Sequence, residues 1–177
     1  MIRNISIYCS SSNSIADIYM EDAAKIGAIL GAKGINVING AGSKGLMRAV
    51  SDAALAAGGT VTGVIPRFMI LNGWCHQGLT KIITVETMHE RKQTMASMSD
   101  AAIAMPGGYG TLEELLEIIT WRQLGLYTNP VIILNTNNFY DPLLEMLNHA
   151  ADEKFIKQEF RNIYQVADNP EEIFKFL

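Results

Sequence analysis

Two stretches carry the residues best suited to chemistry. In the first, Pro106-Gly107-Gly108-Tyr109-Gly110-Thr111-Leu112-Glu113-Glu114, an apolar run ends at Met105, passes through three glycines within four positions and opens into a helical pattern near Thr111. Glycines lack the Cβ that would keep backbone N–H groups from converging on an anion, and the positive end of a helix macrodipole favours a phosphate there. Glu113 and Glu114 follow within a turn, so acid–base chemistry is available beside whatever the phosphate anchors. The second stretch is Met88-His89-Glu90-Arg91-Lys92, in which Arg91 shares a helical face with Met88, Met95 and Met98. Arg91 has two readings: a structural ion pair or snorkelling side chain, or a planar fork held at the inner wall of a site that binds carboxylate or phosphate. Lys92 adds a second, point-like charge, whereas His89 and Glu90 fall off the apolar stripe and read as solvated.

Those residues need elements to hold them. Short β-rich apolar runs at 5–9, 35–39, 61–65, 82–85, 101–105 and 131–134 alternate with helical patterns at 15–32, 46–57 and 87–99, and a helix follows Thr111. Gly34 and the Gly58-Gly59 pair close the first two helices, and Pro170-Glu171-Glu172 starts a short terminal helix that packs on the sheet. Apolar strands in strict βα alternation predict an α/β fold: a Rossmann-like, doubly wound parallel sheet with helices on both faces, forming a single domain over 1–177. Ligands bind such sheets at the carboxyl ends of the strands, which selects four loops: Ser10-Ser11-Ser12-Asn13, read first as caps for the next helix; Asn39 to Gly45, a weak dinucleotide-like glycine pattern; Gly63 to Arg67, with Arg67 read as a rim residue; and the glycine loop itself. On the helix after that loop, Leu112, Leu115, Leu116 and Ile119 are expected to face the sheet, with Glu114 pointing away. Glu113 and Glu117 read as acids that favour the macrodipole. Ile118 and Trp121 flank Glu114 and form a second apolar surface on one helix, which predicts a homodimer packed there.

Composition excludes several classes. With 49% hydrophobic and 18% charged residues among 177, the chain has material for one sizeable core and is not disordered. A net charge of -4 without a Lys/Arg run argues against nucleic acid or anionic membrane as partner, so a phosphate partner is small. No signal-peptide pattern precedes the first strand and no apolar stretch could span a bilayer, which makes a cytoplasmic location the expectation. Cys9 and Cys75 have neither disulfide-framework nor zinc spacing and read as free thiols, and His76 and His149 lack paired ligands, so no metal is expected.

Taken together, the two stretches resemble the Lonely Guy (LOG) family, the cytokinin riboside 5′-monophosphate phosphoribohydrolases, often mislabelled as lysine decarboxylases; nothing in the chain resembles a pyridoxal phosphate enzyme. The resemblance extends through Ile7 to Ser12, Gly45-Leu46-Met47, Gly63 to Pro66 and Leu115 to Leu124. It implies a Rossmann-like homodimer that hydrolyses the N-glycosidic bond of an adenosine 5′-monophosphate, often N6-prenylated, to free base and ribose 5-phosphate, without metal or redox cofactor. It also implies Arg91 and Glu114 as the catalytic pair, and Lys92, Gly107, Gly108, Gly110, Thr111 and Thr120 as substrate-binding positions, with Met88 and Ser11 beside them. The chain departs from the family pattern at Ser10, Ala41, Arg48 and Gly73, positions that touch the base or phosphate pocket rather than the pair. Two other readings stand beside hydrolysis: a nucleotide-binding or carrier module without catalysis, and, more distantly, a NAD-dependent oxidoreductase.

Overall fold

The computed structural model describes residues 2–177. Its elements run β1 (Asn4–Tyr8), α1 (Asp17–Ala32), β2 (Asn36–Asn39), α2 (Gly45–Ala56), β3 (Val61–Pro66), α3 (Arg67–Leu71), β4 (Lys81–Val85), α4 (Met88–Met98), β5 (Ala101–Ala104), α5 (Tyr109–Gln123), β6 (Val131–Leu134), α6 (Asp141–Asp152) and β7 (Gln165–Ala167). All seven strands are parallel, in the order β4-β3-β2-β1-β5-β6-β7. The chain therefore starts at the centre with β1, winds outward to β4, and returns to lay β5 on the other side of β1, with Tyr8 opposite Ala104 at the carboxyl end. At that reversal the loops diverge and leave a crevice, which is where doubly wound sheets bind ligands.

Strand alternation sorts the side chains into two layers. Ile5, Ile7, Val37 and Ile103 pack under α1, α2 and a C-terminal 3-10 turn that buries Ile173. Tyr8, Ile38, Val64 and Ala102 pack under α4, α5 and α6, together with Met95, Leu115 and Ile118. Helices α1 and α2 touch backbone to backbone: a Cβ on Gly27 would lie 2.2 Å from the Val50 carbonyl oxygen, and one on Gly31 2.4 Å from that of Ala54. This close approach seats the first turn of α2, whose Leu46 and Met47 N–H groups both donate to the Ser10 carbonyl at 2.9 and 3.3 Å. The loop after β1 is thereby tied to the loop after β2, a coupling on which the site depends.

The expected fold class is what forms, with strand boundaries displaced by at most a residue or so at each end. Three departures have physical causes. β4 lies on the sheet edge and is mostly exposed, so the expectation of strands covered on both faces fails there. β7 is three residues long with an exposed Gln165; its pairing to β6, not an apolar pattern, makes it a strand. On α5 the buried face is Thr111, Glu114, Leu115 and Ile118, while Leu116 is exposed. The expected stripe through Leu112, Leu116 and Ile119 is thus rotated, and Glu114 points inward rather than away. A carboxylate tolerates that placement only when a charge partner is present. The same rotation places Ile118 in the chain's own core, so it cannot serve the outer surface on which the homodimer was expected.

Candidate active site

Of the four expected loops, the third, Gly63 to Arg67, contributes no lining residue, whereas those after β1, β2 and β5 meet at the crevice. They enclose a cavity of about 530 Å³ lined by Ser10 to Ser12, by Gly40 and Gly42 to Lys44, by Met69 and Trp74, and by Gly108, Gly110 and Thr111. Arg91 and Glu114 also line it.

Arg91 comes from the first turn of α4, which starts cleanly because the Thr87 hydroxyl accepts the Glu90 N–H and the Glu90 carboxylate accepts the Glu86 N–H. This reciprocal cap gives exposed Glu90 a structural role. The helix then aims Arg91, Lys92, Met95 and Ala96 at the sheet. Arg91 is 5% exposed, and its Nε donates to the Val64 carbonyl within β3 at 3.1 Å. The Nη2 end of its guanidinium points at the backbone after β2, where a Cβ on Gly40 would sit 1.5 Å from Nη2 and 2.7 Å from Cζ. Glycine at position 40 is therefore a steric requirement of Arg91.

Glu114, 8% exposed, presents Oε1 at 4.0 Å from Arg91 Nη2. That distance is Coulombic contact without a hydrogen bond, so donors of the guanidinium stay available to the cavity. Burial raises the Glu114 carboxyl, the Arg91 cation opposes it, and Glu113 and Glu117 add to the rise while Lys92 reduces it, leaving Glu114 at about 7. A carboxyl poised there exchanges a proton at neutral pH. Thr111, buried one turn before Glu114, closes against Gly107, where a Cβ would lie 2.1 Å from the Thr111 Oγ1. Gly107 thus supports the cradle from behind, and Gly108, Gly110 and Thr111 line it.

The remaining expected site residues divide. Ser11 and Met88 line the cavity. Lys92 does not: its ammonium is gripped by the carboxylates of Glu113 and Glu117, the latter at 3.0 Å. Burial works against that charge, but the two carboxylates outweigh it and raise Lys92 above its usual range. Glu113 and Glu117, read from the sequence as acids serving the macrodipole, are thus also the counter-ions of Lys92. Thr120 is exposed on the outer side of α5, outside the cavity, and its hydroxyl donates to the Leu116 carbonyl at 2.7 Å. The Ser10 and Ser12 hydroxyls accept N–H groups of Ser12 and Ser14 instead of capping α1, and Asn13 accepts the Gly45 N–H at the start of α2. Arg67, expected at the rim, is an exposed residue outside the cavity lining, 3.7 Å from Glu86.

Sequence reasoning gave no individual role to Lys44, Met69 or Trp74, although Lys44 lies in the second loop and Trp74 beside the Gly73 departure. Lys44 lines the cavity and makes no ion pair among the described residues; its place in the second loop, already read as a possible nucleotide loop, was the available signal. Ala41, one of the departures, adopts φ +56, a left-handed conformation costing an L residue roughly 1 kcal/mol. It is held by the Asn39 Oδ1, which accepts its N–H at 2.9 Å, and by its own carbonyl, which accepts the His76 N–H at 2.8 Å. Cys9 and Cys75 are free thiols, and among the described residues no group of three or more His, Cys, Asp or Glu side chains is placed to hold a metal ion.

Fold and site define a doubly wound α/β domain with a buried arginine–glutamate pair beside a glycine loop at the switch point. Residues 47–177 match the family model described as "Possible lysine decarboxylase". Over 175 residues, 99% of this chain, the sequence is 42% identical to a probable cytokinin riboside 5′-monophosphate phosphoribohydrolase of Oryza sativa subsp. japonica, covering 72% of that protein. It is 41% identical to a cytokinin riboside 5′-monophosphate phosphoribohydrolase of Arabidopsis thaliana, covering 82% of it. The chain belongs to the Lonely Guy (LOG) family. In fold alone it is similar to the molybdenum cofactor binding protein of Rippkaea orientalis, with a TM-score of 0.74 at 20% identity over 99% of this chain and 94% of that one.

The raised Glu114 makes stability pH-dependent with a definite sign. Its carboxyl ionises near 4.5 when unfolded and at about 7 when folded, so its stabilising contribution is complete below 4.5 and is lost as pH rises through 7. Glu114→Gln removes that titration. In urea unfolding, the stability of Glu114→Gln relative to wild type should rise on the order of 3 kcal/mol from pH 4.5 to pH 8. A pH-independent difference would mean that the carboxyl is not raised.

Proposed function

We propose that the chain hydrolyses the N-glycosidic bond of adenosine 5′-monophosphate, plain or N6-substituted, yielding free base and ribose 5-phosphate. The observation that carries this reading is the buried Arg91–Glu114 pair opening onto the cavity beside the α5 N-terminus. The 5′-phosphate is held by the backbone of Gly108 and Gly110, the Thr111 hydroxyl and the positive end of α5, with Lys44 and Ser11 supplying further donors. Cleavage of the C1′–N bond sends its electron pair to the departing base, which takes up a proton from solvent, while a water oxygen bonds to C1′ and the proton that Glu114 takes from that water returns to solvent. Charge builds on the ribose as an oxocarbenium-like cation, and the Glu114 carboxylate stabilises it and removes the proton of the attacking water. Arg91 favours the ionised form of Glu114 against its burial and gives its spare N–H donors to the anionic substrate. Lys92 serves at one remove, neutralising Glu113 and Glu117, whose charges would otherwise push Glu114 further up.

The relatives named above lend their substrate class to this reading, and the cradle, charge pair and cavity size suit it. The protein acts in the cytoplasm, where two unpaired cysteines are at home. Among the described residues no helix is long and apolar enough to cross a membrane. It acts as a homodimer through the outward side of α5 and the following turn, where Leu116, Leu124 and Leu126 are exposed.

Incubation with AMP and with isopentenyl-AMP, followed by chromatography, should release free base, and Glu114→Gln should lower turnover by roughly a hundredfold or more while still binding AMP. Wild-type protein that binds AMP but frees no base from either nucleotide would show a carrier instead. Sedimentation equilibrium should give twice the chain mass of 19.4 kDa, falling toward one chain in Leu116→Glu/Leu126→Glu; a monomeric wild type would contradict the dimer.

A further inference from the structure

Phosphate cradle and charge pair account for two parts of a nucleotide and leave its base without a partner. Of the residues lining the cavity, Trp74 is the sole aromatic, and it is 50% exposed. Both faces of its indole are free of aromatic neighbours: the ring pairs among the described residues are Tyr19–Phe139 and Phe139–Tyr140. A large apolar ring left half-exposed in a crevice is a surface awaiting cover.

Its backbone, in contrast, is fixed. The segment around Trp74 runs antiparallel to the loop after β2: Gly42 bridges Cys75, the Ser43 N–H donates to the Trp74 carbonyl at 2.9 Å, and the His76 N–H donates to Ala41 at 2.8 Å. On the other side the Trp74 N–H donates to the Met69 carbonyl at 3.1 Å. His76 Nε2 then pins the segment to Asp52 of α2 at 2.8 Å. Helix α3 buries none of its residues fully, and its Met69 and Ile70 pack on Ala41, Ile65 and Cys75, so the ribbon and this small cluster together hold the wall. Met47, Met69 and Met88 line the same cavity, an adaptable apolar surround for a flat ring.

What the lining lacks is equally informative. Its polar side chains are hydroxyls, Lys44, Arg91 and two glutamates, with no Asn or Gln to make the bidentate contact that reads an adenine edge. Recognition through the ring face remains, and stacking on an aromatic tolerates substituents on the base edge.

We propose that Trp74 is a specificity-determining residue for the nucleobase, its indole stacking the purine ring of the bound monophosphate. This deepens, and rests on, the phosphoribohydrolase reading. Trp74 and Trp121 are the chain's 2 tryptophans, so Trp121→Phe leaves Trp74 as the single emitter. In that variant AMP should quench the emission saturably while ribose 5-phosphate does not. In turnover of AMP, Trp74→Leu should raise KM roughly tenfold with kcat within about twofold of wild type, and Trp74→Phe should restore most of the loss. Should Trp121→Phe fail to fold, the emission difference between wild type and Trp74→Leu gives the same comparison. Equal responses to AMP and ribose 5-phosphate, no AMP-specific quenching, or an unchanged KM in Trp74→Leu would each overturn the proposal. Absence of base release by wild type would instead defeat the hydrolase reading, with the quenching comparison still deciding the role of Trp74.

Discussion

Arg91 and Glu114 place opposite charges in a space nearly closed to solvent, and most of the unusual features around them follow from that. Withdrawing such ions from water costs several kcal/mol each, and their attraction offsets the cost only if the geometry is held from outside. The holding is done by backbone. The Val64 carbonyl takes the Arg91 Nε–H, bare Gly40 lets the Nη2 end of the guanidinium point at the chain after β2, and Thr111 locks onto Gly107 one turn before Glu114. The contacts come from three different strands or the loops that follow them, β3, β2 and β5, so the pair exists only once the sheet has wound both ways from β1.

That dependence explains the division of labour among the charges. Four ionisable side chains crowd the first half of α5 and the facing side of α4: Arg91, Lys92, Glu113 and Glu114, with Glu117 a turn further on. Lys92 is fully engaged by Glu113 and Glu117, whereas Arg91 meets Glu114 at 4.0 Å without hydrogen bonding. One group is a closed structural cluster and the other an open one, facing the cavity. Burial, opposed by Arg91, is what brings Glu114 to about 7, and Lys92 offsets the smaller rises from Glu113 and Glu117.

How much could be read from the sequence follows the same logic. Strand and helix order up to β6 was legible because it lies in short-range periodicity, and the doubly wound class then pointed to the loops after β1, β2 and β5 that line the cavity, but also to Gly63 to Arg67, which does not. Arg91 was legible too, since it shares a stripe with Met95. Glu114 was read onto the wrong side of its helix, because leucines 112 and 116 suggested an inward face that a buried counter-ion overrides. Lys44 and Trp74 received no individual role for a different reason. Their meaning arises from pairing between the loop after β2 and the segment after β3, residues some thirty positions apart with no local signature. The same holds for Gly40, whose necessity appears only when Arg91 is seen lying against it.

The central claim is that Arg91 controls the protonation of Glu114, and carbon-13 NMR titration of the Glu114 carboxyl in wild type and in Arg91→Met tests it directly. The account predicts a wild-type midpoint at about 7 and a clear upward displacement when the cation is removed, because burial then acts unopposed. A wild-type midpoint in the ordinary carboxylate range, or a midpoint indifferent to the loss of Arg91, would contradict it.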